Sequence, residues 1–112
     1  MNKSYAFALR VIALYKYLIS EKKEYVLSKQ LLRSGTAIGA LIKEGEHAQS
    51  KADFINKMNV ALKEANEATY WIQLLNDSNY ISQEEFDSIY PQSEELLKLL
   101  ISIVKTSKQN RT

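Results

Sequence analysis

Residues 54–75, FINKMNVALKEANEATYWIQLL, carry the pattern that decides the fold. Phe54, Met58, Ala61, Ala65, Ala68, Ile72 and Leu75 recur at alternating steps of four and three, a heptad seam held through three repeats. Such a seam arises where helices pack against one another at a shallow angle. The three central alanines let a neighbouring helix come close. Outside the seam, Val60, Trp71 and Leu74 form a second, looser apolar band interrupted by Glu67. Ser50 and Asp53 have capping-box spacing and mark where this helix begins.

The flanking segments read the same way. From Lys3 to Glu21, Phe7, Val11, Leu14 and Leu18 make one stripe, and Ala8, Ile12, Tyr15 and Ile19 make another one residue on. An apolar face that wide predicts contacts on two sides. The segment Lys22 to Leu27 is a charged connection, and Ser28 is read as the N-cap of the next helix, with Leu27 and Leu32 as a hydrophobic staple. In that helix Leu31, Ser34, Gly35, Ile38, Leu41, Ile42 and Gly45 share one side, while Lys29, Arg33, Thr36, Lys43, Glu44 and His47 share the other. It is predicted to fade between Gly45 and Ala48. After a polar turn from Asn76 to Tyr80, Ser82 with Glu85 forms a full capping box and Ile81 with Phe86 a staple. Phe86, Ile89, Leu96, Leu100 and Ile103 keep helical phase across Pro91, which predicts one helix, kinked or briefly interrupted. From Lys105 onward a polar, basic and frayed tail is expected.

Only three Gly and one Pro occur in 112 residues. Sandwiches and barrels need many turn residues, so the chain reads as all-α, with a single domain over residues 1–107 and a basic tail over 108–112. No uncharged run is long enough to span a bilayer, and the apolar start after Lys3 is broken by Arg10, which predicts a cytoplasmic protein without a signal peptide or membrane segment. The absence of Cys removes disulfides, thiolate metal sites and Cys nucleophiles.

The formal charge of +2 is the residue of a cancellation. Residues 1–33 hold seven bases against two acids, whereas residues 64–104 hold one base against eight acids. Lys29, Arg33 and Lys43 share a face of the second helix, and Arg10, Lys16, Lys22 and Lys23 come from the first helix and the connection after it. Together they could form a basic stripe for phosphates. Nothing among them reads base edges, so such binding would be mostly electrostatic and weakly sequence-specific. Spare apolar surface at Tyr15, Ile19, Val60, Trp71 and Leu74 predicts an oligomer interface, and unlike basic and acidic faces meeting head to tail can close a ring.

Other chemistry finds little support. Glu44 and His47 have the spacing of a di-iron helical pair, but His47 is the only His and lies on the polar face, so no metal or other cofactor is expected. Gly35-x-x-x-Gly39 is flanked by Arg33 and Lys43 and reads as a close crossing of two soluble helices. The glycines lack the spacing of a phosphate loop, and no serine has a His partner to spare, so no catalytic residues are assigned and a non-enzyme is predicted.

Arg33-Ser34-Gly35-Thr36-Ala37-Ile38-Gly39-Ala40, then Ser50 to Phe54, then Ala61-Leu62-Lys63-Glu64-Ala65-Asn66-Glu67 with Tyr70-Trp71, recur in order in a known family. The chain resembles the bacterial four-helix-bundle family named for proteins encoded in intervening sequences of large-subunit ribosomal RNA genes. That family also includes the accessory variability protein of diversity-generating retroelements. The resemblance is strong from Gln30 to Leu75 and weaker elsewhere. It implies an up-down-up-down antiparallel bundle assembled as a homopentameric ring, no catalysis, and a basic surface that in some members contacts RNA or DNA and a reverse transcriptase. Arg33 matches that surface, with Lys29 and Arg10 as neighbours. Where relatives usually place Asn before the Ile-x-Glu ending of the second helix, this chain has Leu41. The expected function is a non-catalytic oligomeric scaffold that binds nucleic acid. The alternative is a ring that serves protein interaction alone.

Overall fold

The computed structural model describes residues 2–109. Four helices follow one another: α1 (Lys3–Glu21), α2 (Leu27–Glu46), α3 (Lys51–Asp77) and α4 (Gln83–Gln109). Paired contacts run in opposite senses along three of the helix pairs, which fixes the direction of all four helices. Val11 and Ser4 of α1 lie against Gly35 and Gly39 of α2. Arg33 and Glu44 of α2 reach Glu64 and Lys57 of α3. Arg10 and Lys3 of α1 reach Glu85 and Glu95 of α4. The bundle is therefore up-down-up-down, and α1 and α4 complete it. No helix among the described residues is long and apolar enough to cross a membrane.

The expected seam of α3 forms its buried face: Met58, Ala61, Ala65, Ala68, Ile72 and Leu75 are all sealed from solvent. At the N-terminal end Phe54 is half-buried and packs against this core as the heptad suggests, and its neighbour Ile55 is also buried. Facing it are Phe7, Val11, Leu14 and Leu18, then Leu31 and Ile38, and then Ile89, Leu96, Leu100 and Val104. Leu41 is half-buried and packs against this core, where an Asn would have needed a polar partner.

Small residues set the spacing of α2 from its neighbours. A methyl group on Gly35 would stand 2.8 Å from Val11 Cγ2 and 3.0 Å from Cγ1. On Gly45 it would collide with Met58 Cε. The helical crossing expected of Gly35 and Gly39 is thus the α1–α2 contact.

The helix ends follow local hydrogen bonding, with departures from the sequence reading in α2 and α4. In α2 the cap is not Ser28, which is buried in the first turn and donates its hydroxyl to the Glu24 carbonyl at 2.8 Å. The Glu24 carboxylate instead accepts from the amides of Val26, Leu27 and Ser28 at 3.1, 2.9 and 2.7 Å. In α4 the Ser82 hydroxyl accepts from the Glu85 amide at 3.1 Å, but the Glu85 carboxylate turns to Arg10 rather than back to the cap. That helix also runs unbroken through Pro91, because apolar packing of Ile89, Leu96 and Leu100 holds both sides in one phase. Buried Val104 anchors the final turns, so Lys105 to Gln109 are helical where fraying was expected. Residues 110–112 of the expected tail lie outside the described residues. After α3, Asn79 adopts φ 67° and the Tyr80 amide reaches the Leu75 carbonyl at 2.9 Å, a Schellman ending.

Two consequences can be measured. Gly35→Ala is expected to lower unfolding free energy by about 1–2 kcal/mol, overpacking at Val11 outweighing the helix preference for Ala. Gly39→Ala, whose methyl would press on Ser4 Oγ at 3.2 Å and otherwise make ordinary contacts with Ser4, should be near neutral, and denaturant titration of both variants reads the difference. Burial pushes the Glu24 carboxyl up, but its backbone amide donors outweigh that and hold it below the usual 4.5. A depressed carboxyl contributes stability above its unfolded pKa and loses it as pH falls through the folded one. Glu24→Gln should therefore cost about 2 kcal/mol at neutral pH, and the gap to wild type should close in acid. A gap that does not change with pH would refute the charged cap.

Candidate nucleic-acid interface

The cations predicted to form one stripe fall into two groups. Arg33 is held: its guanidinium lies 3.1 Å from Glu64 and 2.7 Å from Glu67 of α3. Desolvation draws the Arg33 pKa down, but the two carboxylates outweigh it and raise it, so its charge is fixed and compensated within the chain. Arg10 is likewise paired, 3.2 Å from Glu85 across the α1–α4 cleft. By contrast, Lys16, Lys22, Lys23, Lys29 and Lys43 are exposed and have no carboxylate within ion-pair distance among the described residues.

Those five lysines are not evenly spread. Lys16, Lys22, Lys23 and Lys29 lie around the α1–α2 turn. Lys43 lies fourteen residues beyond Lys29 on α2, about 21 Å along the axis at the helical rise. There it borders a shallow groove of about 540 Å³ lined also by Tyr5, Ala8, Ile12 and Gly39.

The turn itself is a built feature. Lys23 adopts φ 53°, a left-handed conformation that costs a non-glycine residue about 1 kcal/mol. The Glu24 amide reaches back to the Leu18 carbonyl at 3.0 Å, and the Glu24 side chain is 8% exposed beneath the turn. Its neighbours point the other way, with Tyr25 59% and Val26 69% exposed. None of this was read from the sequence, where residues 22–27 looked like a charged connection. An acid four residues before a small helical residue was the available signal.

The predicted oligomer residues Tyr15, Ile19, Val60, Trp71 and Leu74 are each half-buried within the chain. Trp71 packs against the core, with its ring edge-on to Tyr70 at 5.1 Å and its indole N–H buried without a partner. More exposed apolar surface lies at Tyr5 (61%) and Leu9 (51%), which extend the Ile12, Tyr15 and Ile19 arc of α1 outward. This pair was legible as a step of four outside both stripes. Leu99 and Ile101 of α4 are also exposed. The Glu44 carboxylate pairs with Lys57 at 3.3 Å, and His47 is exposed at the α2 C-cap. Among the described residues, no three His, Cys, Asp or Glu side chains gather as a metal site would require.

Comparison with known proteins agrees with this architecture. A solved structure of a protein of unknown function from the S23 ribosomal protein family of Bacteroides thetaiotaomicron superposes with a TM-score of 0.90. It is 60% identical, over 92% of this chain and 95% of its own. A curated relative, Factor arrest protein 3 of Saccharomyces cerevisiae, is 33% identical over 90 residues. That match covers 79% of this chain but only 44% of the yeast protein's length. The model of the 23S rRNA-intervening sequence protein family matches residues 1–102, and the chain belongs to that family.

Proposed function

We propose that this protein is a non-catalytic, homo-oligomeric helical scaffold that binds RNA or DNA through the outer face of α1 and α2. The observation that carries this reading is the set of five exposed lysines on α1, α2 and the turn between them without a carboxylate partner among the described residues. Charges left uncompensated within a chain attract phosphates and release counterions when they meet them. Arg10 and Arg33 contribute less than the sequence suggested, because binding there must compete with Glu85, Glu64 and Glu67.

Oligomerisation rests mainly on apolar surface. The arc Tyr5, Leu9, Tyr15 and Ile19 on α1 and the band Val60, Trp71 and Leu74 on α3 are unlike faces suited to head-to-tail contact, and the family resemblance favours a pentamer as the closed form. Repeating a weak lysine cluster around a ring would raise its avidity. The exposed apolar residues also favour the second reading, in which the ring serves protein partners alone.

A salt titration separates the two. Affinity for RNA at low ionic strength should fall steeply with salt, and reversing Lys22, Lys23, Lys29 and Lys43 to Glu should abolish it without changing the sedimenting mass. Leu9→Glu should instead reduce that mass. Undetectable RNA and DNA binding by the intact oligomer at low salt would leave the protein-only ring.

A further inference from the structure

We propose that the α1–α2 turn selects single-stranded nucleic acid, with Tyr25 stacking on an unpaired base while Lys22 and Lys23 hold the adjoining phosphates. This rests on the nucleic-acid reading above and adds to it which form is bound and where.

Four observations converge on the turn. Tyr25 is 59% exposed and is not among the half-buried side chains that pack on the core, so its ring is spare within the protomer. Lys22 and Lys23 stand three and two residues before it, both exposed and both without a carboxylate partner among the described residues. The one acid in the turn, Glu24, is turned inward onto three backbone amides, so its charge is used beneath the surface that Tyr25 and the lysines present. That same buried carboxylate, with the left-handed Lys23 and the Glu24–Leu18 hydrogen bond, holds the turn in one conformation before any ligand arrives. A preformed aromatic face spends less conformational entropy on binding than a mobile one.

The geometry favours a single strand for a physical reason. In a duplex both faces of each base are covered by its neighbours, and a protruding ring finds only phosphates. In an unpaired strand the base face is available, and stacking is tolerant of sequence because every base has a π-face. Aromatic and cationic side chains interleaved on one short segment suit that ligand better than a duplex groove. Glu24 acts here as a positioning residue.

Fluorescence anisotropy of the full chain with labelled oligo-U or oligo-A of about 12 nucleotides, against a blunt RNA duplex of equal length, tests this. Tyr25→Ala and Tyr25→Leu should each weaken single-strand binding by about tenfold and leave duplex binding unchanged, with Tyr25→Phe retaining the wild-type value. Replacing Lys22 and Lys23 by Ala should weaken both forms and flatten the salt dependence. Full single-strand affinity in Tyr25→Leu or Tyr25→Ala would overturn stacking while leaving the electrostatic reading intact. Loss of oligomeric mass in Tyr25→Ala would overturn the proposal by making the turn a protein contact. Absence of binding to either RNA form at low salt would overturn both this proposal and the RNA reading beneath it.

Discussion

A methyl group on Gly35 would stand 2.8 Å from Val11, and one on Gly45 would displace the end of the Met58 side chain, so α2 packs closely on both α1 and α3 and most tightly at Val11. Buried Ala61, Ala65 and Ala68 do the same on the α3 side. Close approach fixes register, because a small residue must face each bulky one for the helices to interlock. Once α2 is set against both neighbours, Arg33 stands opposite Glu64 and Glu67, and Glu44 opposite Lys57. The charge pattern of the finished surface is thus a consequence of where glycine and alanine occur.

That register changes the meaning of the charge asymmetry. A basic first third and an acidic last third suggest two complementary faces on different molecules, yet part of the complement is met inside the chain. Arg10, Arg33 and Lys3 each find a Glu on a distant helix. These pairs are exposed or half-exposed, and each contributes about 0.2–1 kcal/mol. Their larger effect is to decide which cations remain to meet a ligand. Charge complementarity consequently says less about assembly, and the outward apolar arc of α1 says more.

The Lys22 to Val26 turn shows how one buried charge can organise a short connection. Three amides at the start of α2 lack carbonyl partners within the helix, and Glu24 supplies the acceptor for all three. A carboxylate at a helix N-terminus also faces the positive end of its dipole. With Glu24 inward, the residues on either side are obliged to face solvent. The exposed Tyr25 and Val26 are the outward half of a structure whose inward half is electrostatic.

What the sequence by itself determined was everything governed by near neighbours along the chain. The 3.5-residue spacing in α3, the paired stripes of α1 and the hydroxyl caps at Ser50 and Ser82 depend on residues three to seven apart, so four helices, their order and most of their core were legible. The phase of Ile89, Leu96 and Leu100 signalled a single helix across Pro91, but not that it would run without interruption. Only the tertiary structure decided which charges are spent and which side chains are left outside. Arg33 and Glu64 are 31 residues apart, Arg10 and Glu85 are 75, and Lys3 and Glu95 are 92. No local pattern records such distances. They follow from how closely the helices pack, and packing is a property of facing surfaces rather than of any one segment.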